Sequence, residues 1–389
     1  MSGHATHSSR ELVRSIVRSL PVIFGIAVAT FVLGQGGWLR GFETGALDTM
    51  LRLKTPHRVQ EIVVVGITER DYREIFHARS PLDLEPLQRV IGAISAGKPK
   101  VIAIDLDTSN AEFASLVVGS SAAIVWAQDA IRDENGSPFE PIPVLGGREP
   151  APATGLALLP LDADGLVRRY RSSFETVAGP RPALPDAVIR VWREPAPATT
   201  EHHEASRGEE HHGGGQHDLF LNFAGDRFSF PRLSAGDLLK ASAGPAWGES
   251  GPLTGKIVVL GGLYRAARDE YPTPLGSMAG SEVMAHAIAS ELRGVGVRHA
   301  SEVLMVILEI LGGIALVVIH HRLEMRTAMF VTLFAIPAFA LVSSFLAFSS
   351  LALWANFVPL LLAVLIHQLY DHAKEYRRLL AAAKVTPAA

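Results

Sequence analysis

Apolar and polar positions divide the chain into three zones. Uninterrupted apolar runs lie near both ends, and a long middle zone alternates short Val/Ile runs with helical spacings. Leu20–Leu39, LPVIFGIAVATFVLGQGGWL, is twenty residues without a charge. A helix of that length rises about 30 Å, the thickness of bilayer hydrocarbon. A cleavable signal peptide has a shorter apolar core and a small-residue cleavage site, so this run is read as an uncleaved anchor. Three more runs come late in the chain: Ser301–Ile319, Thr327–Ser349 and Leu351–Leu369. Four transmembrane helices are expected, one N-terminal and three C-terminal. The alternative, helices buried in a soluble core, would need a large α-rich core around them.

Basic residues orient these spans. Arg10, Arg14 and Arg18 precede the first, HHRLEMR joins the second and third, and the tail after Leu369 is basic again. Lys and Arg in short loops mark the cytoplasmic side. Four spans put the arm (1–19), the 320–326 loop and the tail (370–389) together in the cytoplasm. Residues 40–300 are then expected outside.

That outer segment reads as one α/β domain. EIVVVGIT (Glu61–Thr68), KVIAIDLD (Lys100–Asp107) and AAIVWAQ (Ala122–Gln128) are strand-like, as is the later KIVVLGG. LEPLQRVIGAISAG (Leu84–Gly97), LPDAVIRVW, SAGDLLKAS and SEVMAHAIASEL carry helical spacing. Continuous Val/Ile runs separated by helices predict a mostly parallel sheet with helices on both faces. Residues 193–218 break the pattern. They are rich in Pro, Gly, Glu and His and are expected to be a flexible surface loop. Their His202, His203, His211, His212 and His217 are weak metal-ligand candidates, and no metal or other cofactor is expected.

Composition narrows the chemistry. The 389 residues include no cysteine, which excludes disulfides and thiolate sites. A net charge of −3 argues against a nucleic-acid surface. No phosphate-cradling, zinc-protease or nucleophile-elbow motif stands in a suitable context, so the chain is not expected to be an enzyme. DADG (Asp162–Gly165) lacks the ligand spacing of a calcium loop. With Arg168 and Arg169 beside it, a salt-bridged turn is expected.

In open α/β sheets, ligands bind beyond the carboxyl ends of the strands. If the strands are neighbours, Asp105, Asp107, Arg265 and Asp269 line one crevice there. Thr273 and His286 join them as ligand-pocket candidates. The competing reading is structural. Asp at a strand end caps helices or pairs with Arg, and Pro272 and Pro274 stiffen a turn. Inside the second span, Glu309 must face protein or water, and Gly312 and Gly313 let another helix approach closely. A packing or subunit contact is expected there, with Asn356 or His367 as candidate partners.

Four stretches then resemble the CHASE type-2 domain, an extracytoplasmic sensory module of bacterial receptors. They are ALDTMLRLK (Ala46–Lys54), VVVGITERDYREI with AISAGKPKVIAIDLD, LPLDADGLVRRY (Leu159–Tyr170), and LTGKIVVLGGLYRAARDEYPTPLGSMAGSEVMAHAIASEL (Leu253–Leu292). One helix before the domain and three after it also match the family's arrangement. The resemblance implies a domain that senses a signal or contacts another protein without catalysis of its own. It makes Asp269 and Thr273 fix the closing loop, and Gly280 start the helix that bears His286. Such receptors often continue into a cytoplasmic effector domain, and the short stretch after Leu369 carries no catalytic motif. The expected protein sits in a bacterial inner membrane, its large domain in the periplasm or outside, and signals to a separate membrane or periplasmic partner. An accessory or scaffold subunit of a larger membrane complex is the alternative. Self-association stays open.

Overall fold

The computed structural model describes residues 3–132, 136–149, 151–194, 218–294 and 296–385. The chain forms two compact units, Met1–Leu53 with Val297–Ala389, and Lys54–Gly296. In chain order the helical unit opens with α1 (Gly3–Gln35) and α2 (Arg40–Leu53). The second unit begins with β1 (Ile62–Thr68), α3 (Glu69–Glu74), α4 (Leu84–Ala96), β2 (Val101–Asp105), β3 (Ala123–Gln128) and β4 (Thr154–Leu156). It continues through α5 (Leu184–Arg193), β5 (Arg232–Ser234), α6 (Ala235–Ser242), α7 (Trp247–Ser250), β6 (Ile257–Leu263) and α8 (Gly280–Leu292). The helical unit resumes with α9 (Glu302–Arg322), α10 (Met325–Phe330), a π turn (Val331–Ala335) and α11 (Ile336–Leu351), and then α12 (Val358–Val385).

These six strands form one parallel sheet in the order β5-β1-β6-β2-β3-β4. Alternate side chains point to opposite faces, and both faces are apolar. Val63, Val65, Ile67, Ile102, Ile104, Val258 and Leu260 pack toward α4, α6 and Trp247. Ile62, Val64, Val101, Ala103, Ile257 and Val259 pack toward α5 and α8. Covered faces on both sides explain why these strands read as unbroken Val/Ile runs.

Local chemistry sets the helix ends. Thr68 and Asp71 form a reciprocal capping box on α3. Asp71 also accepts from the Gly236 amide at 3.1 Å, tying α3 to α6. α4 buries Leu87, Val90, Ile91 and Ile94, an i, i+3, i+4, i+7 stripe. α8 is buried from Gly280 through Ser290 without a break. Its first turn crosses β6 so closely that a Cβ on Gly261 would lie 2.2 Å from Ser281 Cβ. Gly261 therefore serves helix–sheet approach, while Gly262 packs against Tyr264 and Ala267 of the following loop. The DADG turn closes on its arginines: buried Arg168 pairs with Asp162 at 2.9 Å and Asp164 at 2.7 Å.

Among the described residues, three helices in the other unit are long and apolar enough to cross a membrane: Arg10–Gln35, Glu302–Arg322 and Arg326–Leu351. The third carries the π turn just before Pro337, where the missing amide breaks the regular ladder.

The expected continuous helix over 351–369 needs correction. Ala352 adopts the left-handed conformation (φ 49°) and ends α11, and Leu353–Trp354 pairs as a short strand with Arg298–His299. α12 starts only at Val358, whose amide is capped by Asn356 Oδ1 at 3.2 Å, with Pro359 in its first turn. The capping Asn and the early Pro are start signals that the apolar run conceals. The apolar part of α12 runs from Val358 to Leu369.

Candidate functional site

The strands whose ends were expected to converge are neighbours: β6 lies between β1 and β2, and Gly261 stands opposite Asp105. After β1 and β2 the chain turns toward the α4 face, while after β6 it reaches α8 on the opposite face. Divergent exits of this kind open a crevice at the strand ends. A cavity of about 250 Å³ lies there, lined by Arg227, Tyr264, Arg265, Arg268, Asp269 and Glu270 among others.

Two loops frame it. Glu69, the first residue of α3, accepts from the Arg265 amide at 3.1 Å and from Arg73 at 2.7 Å. The Arg265 amide, followed by the Arg73 side chain, holds that carboxyl below its usual range. Tyr72 of the α3 turn stacks on Tyr264, with centroids 4.2 Å apart. The Asp269 carbonyl accepts from the Gly280 amide at 2.9 Å. The Asp269 carboxylate faces the amides of Gly280 and Ser281 at the start of α8. Gly280 is required there, because a Cβ would meet that carboxylate at 2.2 Å.

Asp105 and Asp269 sit close enough to repel. Burial, and then the charge of Asp269, push the Asp105 carboxyl up to about 8. Burial also raises Asp269, against the two amides that favour its charge. Tyr264 and Tyr271 are each pushed up to about 12, chiefly by burial, with nearby carboxylates adding to it. The sheet end thus holds a half-buried carboxyl pair and phenols that stay protonated, beside exposed Arg265 and Arg268.

Of the sequence candidates, Arg265 and Asp269 line the cavity, and Asp105 stands next to Asp269. Asp107 is exposed, and its carboxylate accepts from the Ser109 amide at 2.9 Å. Thr273 is not in the crevice lining. It closes a hairpin, donating to the Gly276 carbonyl at 2.6 Å and accepting from the Leu275 amide at 3.2 Å. His286 is not there either. It is fully buried against Phe223 and Phe230, with Nδ1 accepting from the Ala224 amide at 3.3 Å. Burial pushes it down to about 3, so it is a neutral core side chain. His202, His203, His211, His212 and His217 lie outside the described residues, and among the described residues no cluster has metal-ligand geometry.

Residues without a clear signal in the sequence support the site from behind. Glu282 is buried, accepts from the Ala279 amide at 2.9 Å, and pairs with Arg232 and, at 3.3 Å, with Arg227 of the cavity wall. A Glu three residues after a helix start is the capping-box signal, but Ala279 occupies the cap position where Ser or Thr would have announced it.

In the helical unit, Glu309 is buried and accepts from the Thr30 hydroxyl of α1 at 2.6 Å. A Cβ on Gly313 would lie 2.7 Å from Ile23 of α1 and 3.2 Å from His367 Nε2 of α12, and one on Gly312 would lie 3.2 Å from Leu360. These positions therefore face the chain's own helices. Asn356 has another partner, donating to Glu43 at 2.7 Å.

A family model described as the CHASE2 domain matches residues 23–319. No curated protein and no solved structure matches the chain.

Proposed function

Because this chain belongs to the CHASE2 domain family, a family of extracytoplasmic sensory domains, we propose that it is a membrane-anchored receptor that takes a small polar ligand in the strand-end crevice and signals to a separate protein. The crevice carries the reading. It lies where strand exits diverge, offers two exposed guanidinium groups, Arg265 and Arg268, and has Asp269 in its lining, with Asp105 close enough to feel its charge. Its lining comes mostly from the end of β6 and the loop after it, and that loop is held to the start of α3 by the Arg265–Glu69 hydrogen bond, so a ligand there would favour one arrangement of these loops over another. The α/β unit is entered from α2 at Lys54 and left at Gly296 ahead of α9, so both its chain ends are joined to the helical unit.

Melting of the full-length chain in mild detergent, against a panel of amino acids, dicarboxylates and polyamines, tests this. A compound that raises the melting temperature of the wild type but not of Arg265→Glu supports the receptor. A crevice indifferent to every compound, together with stoichiometric co-purifying subunits, overturns it in favour of an accessory subunit.

The proposed topology has α12 complete a fourth crossing, with both termini cytoplasmic. The polar residues that interrupt its apolar run are occupied inside the bundle: Gln368 donates to Thr332, and His367 sits at Gly313. Polar groups satisfied by neighbouring helices are compatible with a span. The chain has no cysteine, so single introduced thiols report cleanly. Val177→Cys in the outer domain is expected to react with a membrane-impermeant maleimide on intact cells, and Arg322→Cys only after permeabilisation. The reverse pattern refutes the orientation.

A further inference from the structure

Lys54, His57 and Arg293 gather where the chain enters and leaves the α/β unit. Lys54 is the first residue after α2, and Arg293 is the C-cap of α8, nine residues before the start of α9. Arg293 donates to His57 Nε2. Lys54 donates to Asn222 Oδ1 and, at 3.1 Å, to the Phe223 carbonyl. The charges that weigh on these groups are cationic: Arg293 on both Lys54 and His57, and Lys54 on His57 as well. Burial, followed by Arg293, pushes Lys54 down to about 8. Glu291, two residues before Arg293, has Tyr170 and Arg193 beside it.

This arrangement is costly as it stands. Half-buried Lys54 and exposed Arg293 bring like charges close together, which repel unless an anion joins them. The carbonyl end of α8 relieves part of the cost at Arg293. The donors exceed the neutral acceptors they meet. An ammonium has three N–H groups and a guanidinium five, while among the described residues the acceptors bonded to Lys54 and Arg293 are one amide oxygen, one carbonyl and one imidazole nitrogen.

We propose that Lys54, His57 and Arg293 form a binding site for a phosphate-bearing anion. Phosphate fits the donor set because its several oxygens accept from an ammonium and a guanidinium at once. Such an anion ties together the chain segments that enter and leave the domain. Two sources share this chemistry, free phosphate and an anionic lipid headgroup. The headgroup is named because Lys54 follows α1, a helix of membrane-spanning length, with α2 between them in the chain.

The test reads the acetylation rate of Lys54 in the full-length chain by mass spectrometry. Preparations are in detergent, in detergent with inorganic phosphate, in phosphatidylcholine nanodiscs and in phosphatidylglycerol nanodiscs. Several-fold protection in phosphatidylglycerol over phosphatidylcholine identifies the headgroup. Protection by inorganic phosphate identifies the free ion. Either is expected to vanish in Arg293→Gln, an exposed position whose loss relieves repulsion and so does not lower the melting temperature in detergent. Equal rates in all four preparations overturn the proposal. So does protection equal in both lipids without any from phosphate, which is shielding by the bilayer, or protection that survives Arg293→Gln.

Discussion

Glu282→Ala is expected to destabilise the α/β domain by about 3–5 kcal/mol, the cost of removing one partner from a buried ion pair. Glu282 is 1% exposed and serves three donors: the Ala279 amide at the start of α8, Arg227 and Arg232. Truncation leaves a half-buried guanidinium without its counter-charge at both Arg227 and Arg232, and exposes the orphan amide of a helix that is otherwise buried. The effect should also reach the crevice, because Arg227 is part of its wall. Denaturant unfolding of the full-length chain in detergent, followed by tryptophan fluorescence, measures the loss. Glu282→Gln separates charge from capping: its amide oxygen still accepts from Ala279, so it should lose less than alanine does. A change within about 0.5 kcal/mol for the alanine variant, the range of ordinary surface substitutions, would show that this carboxylate does not anchor α8.

The second large effect is on pH dependence. Asp105 titrates near 8 in the fold against 3.8 unfolded. Its folded pKa is raised, so its contribution to stability is fully present below the unfolded value and is lost as pH rises through the folded one. Between these values the native state holds the proton that the unfolded state has released, and stability falls with rising pH by at most about 1.4 kcal/mol per unit. His286 acts in the opposite sense. Its pKa is depressed from 6.5 to about 3, so its contribution is present above 6.5 and is lost as pH falls toward 3. The window from 6.5 to about 7 is set mainly by the raised carboxyls, because nearer 8 Lys54, lowered from 10.5 to about 8, begins to act in the opposite sense. Wild-type stability is expected to decline across it, with Asp269, also raised by burial, acting in the same direction. Asp105→Asn cannot release a proton and should flatten most of the decline. Parallel stability curves for the two proteins over that window would show that Asp105 is not held protonated.

The two effects differ in how far the sequence foretold them. Asp105 was visible as an acid at the end of a Val/Ile run, since strand ends in parallel sheets are where ligand sites form. Its raised pKa was not, because that depends first on burial in the folded chain and then on Asp269, which returns from a loop more than a hundred and sixty residues later. Glu282 was hidden by the alanine at its cap position. Thr273 and His286 neighbour the crevice residues in sequence, in the closing loop and the helix after it, but not in space. The hairpin turn and the helical rotation carry them elsewhere, Thr273 into its own turn and His286 into the core between two phenylalanines.

Through periodicity and apolar content, the sequence by itself determined a parallel sheet covered on both faces, the helices between its strands, and three apolar helices of membrane-spanning length. These are local consequences of side-chain alternation, helical spacing and an unbroken apolar run, each legible within about twenty residues. Only the tertiary structure decided the strand order, which seats β6 between β1 and β2 and so brings Asp105 to Asp269. It alone showed that the last apolar run breaks before α12, that Glu309 answers to Thr30, and that Lys54 and Arg293 come together from opposite ends of the domain. Those pairings join residues far apart in the chain. Their energies come from burial and from charges brought close together, which packing creates and which no window of sequence contains.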